Sequence, residues 1–466
     1  MESGNTAFGV DARGILYSYD MKKLFAYPLA NTAEELIIND ENTNSIQSYA
    51  FANNKYLNSF KFTSDNGYKS ILGYAFYNTK IKNIEMEGIY SLESYAIYFN
   101  SDLQNVILNS GNTSKFSIHY YAMASNPQLK NVILPHIMDE KLSNGVLPSY
   151  DPFWGCTSLN DIAFDQGDSA YVSVNGTVFT KDMSILLFVS HDRSDLTLPD
   201  TLKAINTNAL NANKKLKFET VDGLKYYQNW LVGVDDEEIT EVKVKDGTVG
   251  IAAHALNKLT VDKLSLPESV KYLSYRALAE STPTEFIYHN NFEYIANSAF
   301  SQFGYVGGIL DIGTPTYVGD YAIGYTKFDE IRVGFKNNGN KTYIDGSSMG
   351  GAFYQSKAKV LMYGPYVSEI IGKACNKMTN LAEVYIASES LCTTENDAYK
   401  TYLSNSGYMT GHQTITKTKW IANTITIEPD VTDFMKNAFL GGGFNDDQSS
   451  ITTTVDGITY RKYYRT

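Results

Sequence analysis

The residues that most often catalyse reactions or hold metals are histidines and cysteines close to carboxylates, and here they are dispersed. No two of the six histidines have the spacing of a metal-ligand pair, and the three cysteines form neither a metal-type pair nor a disulfide framework. Residues 191–195 do combine the imidazole of His191 and the hydroxyl of Ser194 with two carboxylates. Adjacent side chains of one loop rarely converge on a single point, so we interpret this segment as an ordinary loop.

The carboxylates at residues 235–238 are a second place where chemistry is conceivable, because calcium prefers several oxygen ligands. The run lacks the alternating spacing and the glycine of a calcium loop, and it therefore predicts a solvated turn. Glycines 441–443 match no phosphate-binding pattern and indicate a flexible turn. We therefore predict no catalytic residues, no metal site and no cofactor.

Composition and charge narrow the possible partners. Hydrophobic residues make up 43% of the 466 residues, which is enough for a substantial core, and the formal net charge of -12 argues against nucleic acid as a partner. Tyrosine is unusually frequent, with 36 copies. Many of them stand at or next to repeat positions, so we expect the repeat architecture to account for much of the excess. No stretch has the roughly 18 apolar residues of a membrane span.

The elements that must position any site are repeats. Residues 92–134 state one pattern twice, with a shift of 26 residues that superimposes an apolar residue, a small residue four places later, an asparagine and an apolar triplet. A repeated unit cannot bury its apolar face alone, so successive units must stack into a solenoid. In a later region Ala255, Ala277, Ala299 and Ala322 recur every 22 or 23 residues.

Each repeat predicts a short turn followed by a short strand. The spacing of the apolar residue and the alanine, at i and i+4, favours a short helical turn, and the triplet alternates as a strand does. The fold class predicted is an α/β repeat solenoid, right-handed and of the leucine-rich-repeat type, with parallel strands on one face and helical turns or loops on the other. An asparagine in the bend is expected to hydrogen-bond backbone groups.

Departures from the pattern predict the domain organisation. Residues 1–30 have the sequence of a β-hairpin and are expected to cap the array, which spans 31–440. Hairpin insertions are predicted near 168–190 and 222–235, and residues 441–466 form a C-terminal cap or tail.

These motifs, about a dozen copies in phase, resemble the BspA-like leucine-rich repeat family. Glycine is often missing after the first apolar residue, and the copies between Pro135 and Leu196 are damaged. The resemblance implies a bacterial surface or secreted protein that adheres to matrix proteins or to other cells, and it transfers no catalytic residues. Residues 1–6 lack the features of a signal peptide, so we expect either a cytosolic protein or a sequence without its leader or lipid anchor, and the resemblance favours the second.

The middle residue of each strand triplet is expected to face away from the core, on a concave surface where solenoids commonly bind. Six such residues are the candidate ligand-binding positions: Glu85, Ile107, Ile133, Lys243, Arg332 and Tyr385. The neighbouring aliphatic pair, Ile107 and Ile133, is the most informative, because it forms an apolar patch unless an inserted hairpin or the loop at 136–150 covers it.

The function predicted is recognition without catalysis, at the cell surface or outside the cell, with a protein or glycan as partner. One alternative is a structural protein that recognises copies of itself. The other is a hydrolase whose site is built from inserted loops, with residues far apart in sequence.

Overall fold

The computed structural model describes 6–39, 41–63, 69–111, 116–136, 152–165, 170–190, 193–206, 209–210, 213–345, 351–370, 374, 377–381 and 383–386. The strands at 418–421, 424–427, 444–455 and 458–465 are described by their backbone. The chain divides into two compact units, Met1–Lys217 and Phe218–Thr466.

The first unit holds seventeen strands within these ranges: β1 (Phe8–Val10), β2 (Leu16–Ser18), β3 (Lys23–Ala26), β4 (Glu35–Ile38), β5 (Ser45–Ile46), β6 (Ser59–Phe62), β7 (Lys69–Ile71), β8 (Asn83–Glu87), β9 (Ile89–Leu92), β10 (Asn105–Asn109), β11 (Ser117–Ile118), β12 (Asn131–Leu134), β13 (Asp161–Phe164), β14 (Tyr171–Val174), β15 (Thr177–Thr180), β16 (Ile185–Val189) and β17 (Ala204–Ile205).

The second unit holds twenty strands within its described ranges: β18 (Glu219–Val221), β19 (Leu224–Tyr227), β20 (Trp230–Val234), β21 (Glu241–Lys243), β22 (Gly250–Ile251), β23 (Thr260–Ser265), β24 (Tyr272–Leu273), β25 (Thr282–Ile287), β26 (Tyr294–Ile295), β27 (Ile309–Asp311), β28 (Tyr317–Val318), β29 (Glu330–Val333), β30 (Thr342–Ile344), β31 (Val360–Tyr363), β32 (Val367–Ile370), β33 (Glu383–Ile386), β34 (Thr418–Ile421), β35 (Thr424–Ile427), β36 (Phe444–Val455) and β37 (Ile458–Arg465).

Each repeat contributes one longer and one shorter strand, and like strands pair in parallel. In the first unit the longer strands form a sheet in the order β13-β12-β10-β8-β6-β4, and the short strands β5, β7, β9 and β11 extend the antiparallel sheet of β1, β2 and β3. In the second unit the sheet that begins with β18, β19 and β20 is extended by the short strands β22, β24, β26, β28, β30 and β32. Antiparallel strands also occur at β14 to β16, within the first predicted insertion.

The strand prediction is confirmed by burial and register. Val106 and Leu108 are buried while the residue between them is partly exposed, as the alternation of a strand requires. Val106 pairs with Val132, its counterpart in the next repeat. Successive repeats of the first unit therefore share one interior, which is built from equivalent side chains.

The helical part of the α/β prediction is wrong, because the described residues contain no helix. In the turn at residues 74–78, Tyr74 and Asn78 both have positive φ angles, of 62° and 53°, which a right-handed helix does not allow. The amide of Phe76 donates to the carbonyl oxygen of Ala96 in the next repeat, at 2.8 Å, and not to its own turn. The i, i+4 spacing arises because a strand end is followed by a tight turn.

The bends are held by buried asparagines, as the sequence predicts. Asn126 accepts from the backbone N–H of Asn100 at 2.9 Å and from its side-chain amide at 3.1 Å. Its own amide donates to the carbonyl oxygens of Ile97 and Met123, at 2.8 and 2.7 Å. One buried side chain thus satisfies backbone groups in two successive repeats.

Candidate ligand-binding surfaces

Three of the six predicted site residues lie side by side on the longer-strand sheet of the first unit. Glu85 pairs with Ile107 on the next strand, and Ile107 pairs with Ile133 on the strand after that. All three side chains are partly exposed. We use the name strand face for the four paired middle residues Lys61, Glu85, Ile107 and Ile133.

The strand face changes character along its length. Lys61 and Glu85 form an ion pair at 2.8 Å, and the hydrogen bond with Glu85 raises the pKa of Lys61. The next two strands present Ile107 and Ile133, so an aliphatic pair adjoins an internally neutralised charge pair. The loop expected to cover this pair, at 136–150, lies outside the described residues except for His136.

The other three predicted residues lie in the second unit and do not form one group. Lys243 is exposed in β21 and pairs with Ser265. Arg332 lies in a different sheet, where it is ion-paired with Glu330 of its own strand. Tyr385, in β33, lies two strands from Arg332 in that sheet.

Sequence reasoning missed a cluster of a serine, a histidine and an aspartate at three successive strand ends. The Ser110 hydroxyl lies 2.9 Å from His136 Nδ1, and the same nitrogen lies 2.7 Å from Asp165 Oδ1. In a catalytic triad the carboxylate and the hydroxyl engage different ring nitrogens. Because Nδ1 makes both contacts here, this geometry does not relay a proton from the serine to the aspartate.

The cluster instead ties neighbouring repeats together. Asp165 accepts from the backbone N–H groups of Ser110 and His136, each at 2.6 Å. Burial pushes up the pKa of Asp165, but the hydrogen bonds from Ser110 and His136 outweigh burial and hold that pKa below its ordinary value. The repeat register contained the signal, since each of the three residues lies one or two positions after the end of its strand.

Sequence reasoning also missed the arrangement of the tyrosines. One tyrosine stands directly before the buried alanine of four consecutive repeats, and we call this set the tyrosine row: Tyr49, Tyr74, Tyr95 and Tyr121. Successive ring centroids are 5.2, 5.2 and 5.4 Å apart, with interplanar angles of 3°, 4° and 27°. All four rings lie in the turns that link a short strand to a longer one.

The remaining candidates have structural surroundings. In the segment 191–195, Arg193 donates to the carbonyl oxygens of Val174 and Asn175 and so holds the hairpin of β14 and β15 in place. His191 lies outside the described residues. In the acidic run, Asp236 accepts from the backbone N–H of Glu238, as in a turn.

Within the described ranges no group of three or more histidines, cysteines and carboxylates could hold a metal ion. No helix in those ranges is long and apolar enough to cross a membrane.

Comparison with known proteins identifies the family. The pneumococcal vaccine antigen PcpA is 14% identical, with 83% of this chain and 95% of that chain covered and a TM-score of 0.34. A leucine-rich repeat protein from Bacteroides ovatus is 12% identical, with 82% and 94% covered and a TM-score of 0.30. No curated relative matches the chain. The model of the BspA type leucine rich repeat region matches six copies at residues 22–146 and 235–347, about half of the sequence, so the chain belongs to the BspA-type leucine-rich repeat family.

Proposed function

We propose that this protein is a non-enzymatic recognition protein, secreted or held at the cell surface, which binds a protein or glycan through its repeats. The observation that carries this proposal is the strand face, where Ile107 and Ile133 present partly exposed aliphatic side chains from paired strands. Adjacent exposed aliphatic groups on a rigid sheet are typical of an interaction site.

The rigidity of this surface supports a role in binding. Asn105 receives a hydrogen bond from the side-chain amide of Asn131 and donates one to that of Asn83, at 2.8 and 2.7 Å, so a ladder of amides runs beside the sheet. A preorganised surface loses little conformational entropy when a partner binds. Family membership supports placement at the cell surface or outside the cell.

The test compares two isoleucine variants by biolayer interferometry against a panel of immobilised extracellular-matrix proteins. We expect the wild-type chain to bind at least one of them, and the double variant Ile107→Ser with Ile133→Ser to lose at least tenfold in affinity. Ile287→Ser, at an exposed aliphatic residue of β25 in the second unit, is the matched control and should bind like wild type. Unchanged binding by the double variant would remove the strand face from the proposal.

A further inference from the structure

The tyrosine row is not required by the backbone of the turn. Its members have φ angles between 53° and 62°, and the same position in the second unit, directly before the repeat alanine, has φ between 51° and 60°. There the residues are His254, Arg276, Ser298 and Tyr321. The turn therefore accepts a charged residue or a serine, and the run of four consecutive tyrosines needs a reason other than the fold.

A second set of rings lies across the row. Tyr98 is inclined by 78° and Tyr120 by 89° to Tyr95, and Trp154 is inclined by 75° to Tyr121. Because the row stacks along the direction in which the repeats succeed one another, rings perpendicular to it have planes that run along that direction. Tyr120 and Trp154 are 45% and 53% exposed. The surface thus presents ring edges from the row and ring surfaces from its neighbours.

The stacking holds these rings in place before any ligand arrives. Tyr74 is packed between Tyr49 and Tyr95, and its turn is tied to the next by the hydrogen bond from its amide to the Tyr95 carbonyl oxygen, at 2.9 Å. Tyrosine combines a large apolar surface with a polar tip and loses little entropy on binding. Exposed aromatic rings fixed in this way form a preorganised platform.

The chemistry of the platform selects the ligand class. An aromatic platform also suits nucleic-acid bases, but such surfaces combine rings with a basic groove, and every ring-bearing position here is uncharged while the chain has a net charge of -12. The two exposed asparagines beside the row, Asn53 and Asn78, are joined by an amide hydrogen bond of 2.7 Å. The Glu93–His119 pair, whose carboxylate and ring nitrogen lie 3.4 Å apart, also lies in these turns, two residues before Tyr95 and Tyr121. Uncharged rings beside amides match the apolar C–H faces and hydroxyl rims of sugars.

Periodicity favours a glycan over a polypeptide. The row offers the same group once per repeat at intervals of 5.2 to 5.4 Å, which is comparable to the length of one pyranose unit in an extended β-1,4-linked chain. A folded protein partner presents irregular side chains, and its hot spots usually fill pockets near the centre of an interface. Only a ligand that itself repeats engages every member of the row in the same way.

We propose that the tyrosine row and its crossed rings bind an extended, neutral, β-linked polysaccharide. This surface lies in the turns and is distinct from the strand face, and the inference rests on the proposed recognition function. It assigns a glycan to one identified part of the molecule.

The experiment is affinity electrophoresis of the full chain in gels that contain hydroxyethylcellulose, galactomannan or, as a charged comparator, heparin. We expect at least one neutral polysaccharide to retard the wild-type chain and heparin to have no effect. The double variant Tyr74→Ser with Tyr95→Ser should lose at least tenfold in affinity. Serine is chosen because Ser298 occupies the same turn position in the second unit, and a far-ultraviolet circular dichroism spectrum identical to wild type verifies the fold.

The matched control is Tyr321→Ser with Tyr325→Ser, which removes two stacked tyrosines from one turn of the second unit and should leave retardation unchanged. The proposal is overturned when neither neutral polysaccharide retards the wild-type chain, when the row variant is retarded like wild type, or when heparin alone binds. Loss of binding to a matrix protein by the row variant, without any binding of polysaccharide, would assign the platform to a protein partner instead. The strand-face variants report on the proposed function separately.

Discussion

The two units use one type of repeat backbone with different side chains, and the turns show this most clearly. In the first unit the position before the repeat alanine holds four stacked tyrosines, whereas in the second unit it holds His254, Arg276, Ser298 and Tyr321, with the same positive φ. The conformation is therefore set by the buried alanine and by hydrogen bonds between turns. The residue before the alanine, which is at least partly exposed in each of these repeats, is left free to vary with function.

The buried bends differ in a second way. Four places after the alanine, the first unit has Asn100 and Asn126, which hydrogen-bond to each other, whereas the second unit has Thr326 and Ser356, whose hydroxyls are 3.0 Å apart. The second unit also buries the carboxyl group of Asp320. The bends at Asn100 and Asn126 are held by amides, which do not titrate, whereas Asp320 gives the second unit a buried group whose charge depends on pH.

The largest expected effect distinguishes the two kinds of bend. Replacement Asn126→Ala should lower the free energy of unfolding by about 3–4 kcal/mol, because several buried groups lose partners at ~1–3 kcal/mol each. Ser356→Ala should cost only about 1 kcal/mol, since it removes the contact with the Thr326 hydroxyl and a long hydrogen bond of 3.5 Å from the Ala358 N–H. Urea unfolding followed by circular dichroism measures both, and equal losses would contradict the difference between the bends.

The next prediction concerns the shared interior, where the two units should behave alike. Ala277 is fully buried, so Ala277→Leu should destabilise the chain by about 1–3 kcal/mol through overpacking. Ala163, a partly exposed middle residue of β13, provides the control, and Ala163→Leu should change stability by less than ~0.5 kcal/mol. A urea midpoint unaffected by Ala277→Leu would argue against the repeat register.

The buried carboxyl group of Asp320 predicts a pH dependence for the second unit. Burial raises its pKa from the ordinary 3.8 to about 6, although hydrogen bonds from the backbone N–H groups of Gly351 and Tyr321 oppose the shift. Between these values the folded chain binds more protons than the unfolded chain, so stability should fall by about 1–2 kcal/mol as pH rises from 4 through 6, allowing for partial screening by solvent. Thermal unfolding across this range should show a flatter profile for Asp320→Asn.

Asp165 of the first unit should give stability the opposite dependence on pH. Its pKa lies below the ordinary value, so its contribution to stability is present above that value and is lost as pH falls further. Asp165→Asn should therefore remove a loss of stability in acid. Two carboxyl variants that changed the pH profile in the same direction would contradict this assignment.

The smallest expected effect is on the tyrosine row. Tyr74→Ser removes stacked contacts with Tyr49 and Tyr95 and two edge-on ring contacts. Each aromatic pair is worth ~0.5–1.5 kcal/mol when well packed, but the Tyr74 ring is partly exposed, so the expected cost is only about 1 kcal/mol. Ser298→Ala, at the same turn position of the second unit, should stay within ~0.5 kcal/mol of wild type. Urea unfolding of the two variants measures how much the row contributes to the free energy of unfolding, independently of any role in binding. A loss above ~4 kcal/mol for Tyr74→Ser would show that the row is needed for the fold.

The sequence predicted what alternation and repeat spacing determine. Val106, Leu108 and their counterparts are buried in register because strand periodicity and a shared interior leave no other arrangement. The turns were mispredicted because Ile71 and Ala75 have the same i, i+4 spacing in a helix as in a strand end followed by a tight turn. Spacing carries no information about the positive φ of Tyr74 between them.

The candidate surfaces were predictable only in part. The strand face followed from the middle position of each triplet, which brought Glu85, Ile107 and Ile133 together. The cluster of Ser110, His136 and Asp165 was not predictable from local spacing, because its members belong to different repeats and are 26 and 29 residues apart in sequence. The ring geometry of the row depends on side-chain rotamers, which no sequence pattern encodes.

The central claim is that the tyrosine row binds a polysaccharide and is not required by the fold. The most direct test is polysaccharide binding by a variant in which residues from the second unit replace tyrosines of the row. In the triple variant Tyr74→His, Tyr95→Arg and Tyr121→Ser, the first unit carries side chains that the same turn already accommodates. We predict a protein that still folds cooperatively and that a neutral polysaccharide no longer retards in affinity electrophoresis. Two results would contradict the claim that this turn position is not needed for folding and serves recognition. One is a variant that unfolds, and the other is a variant that folds and is retarded as strongly as wild type.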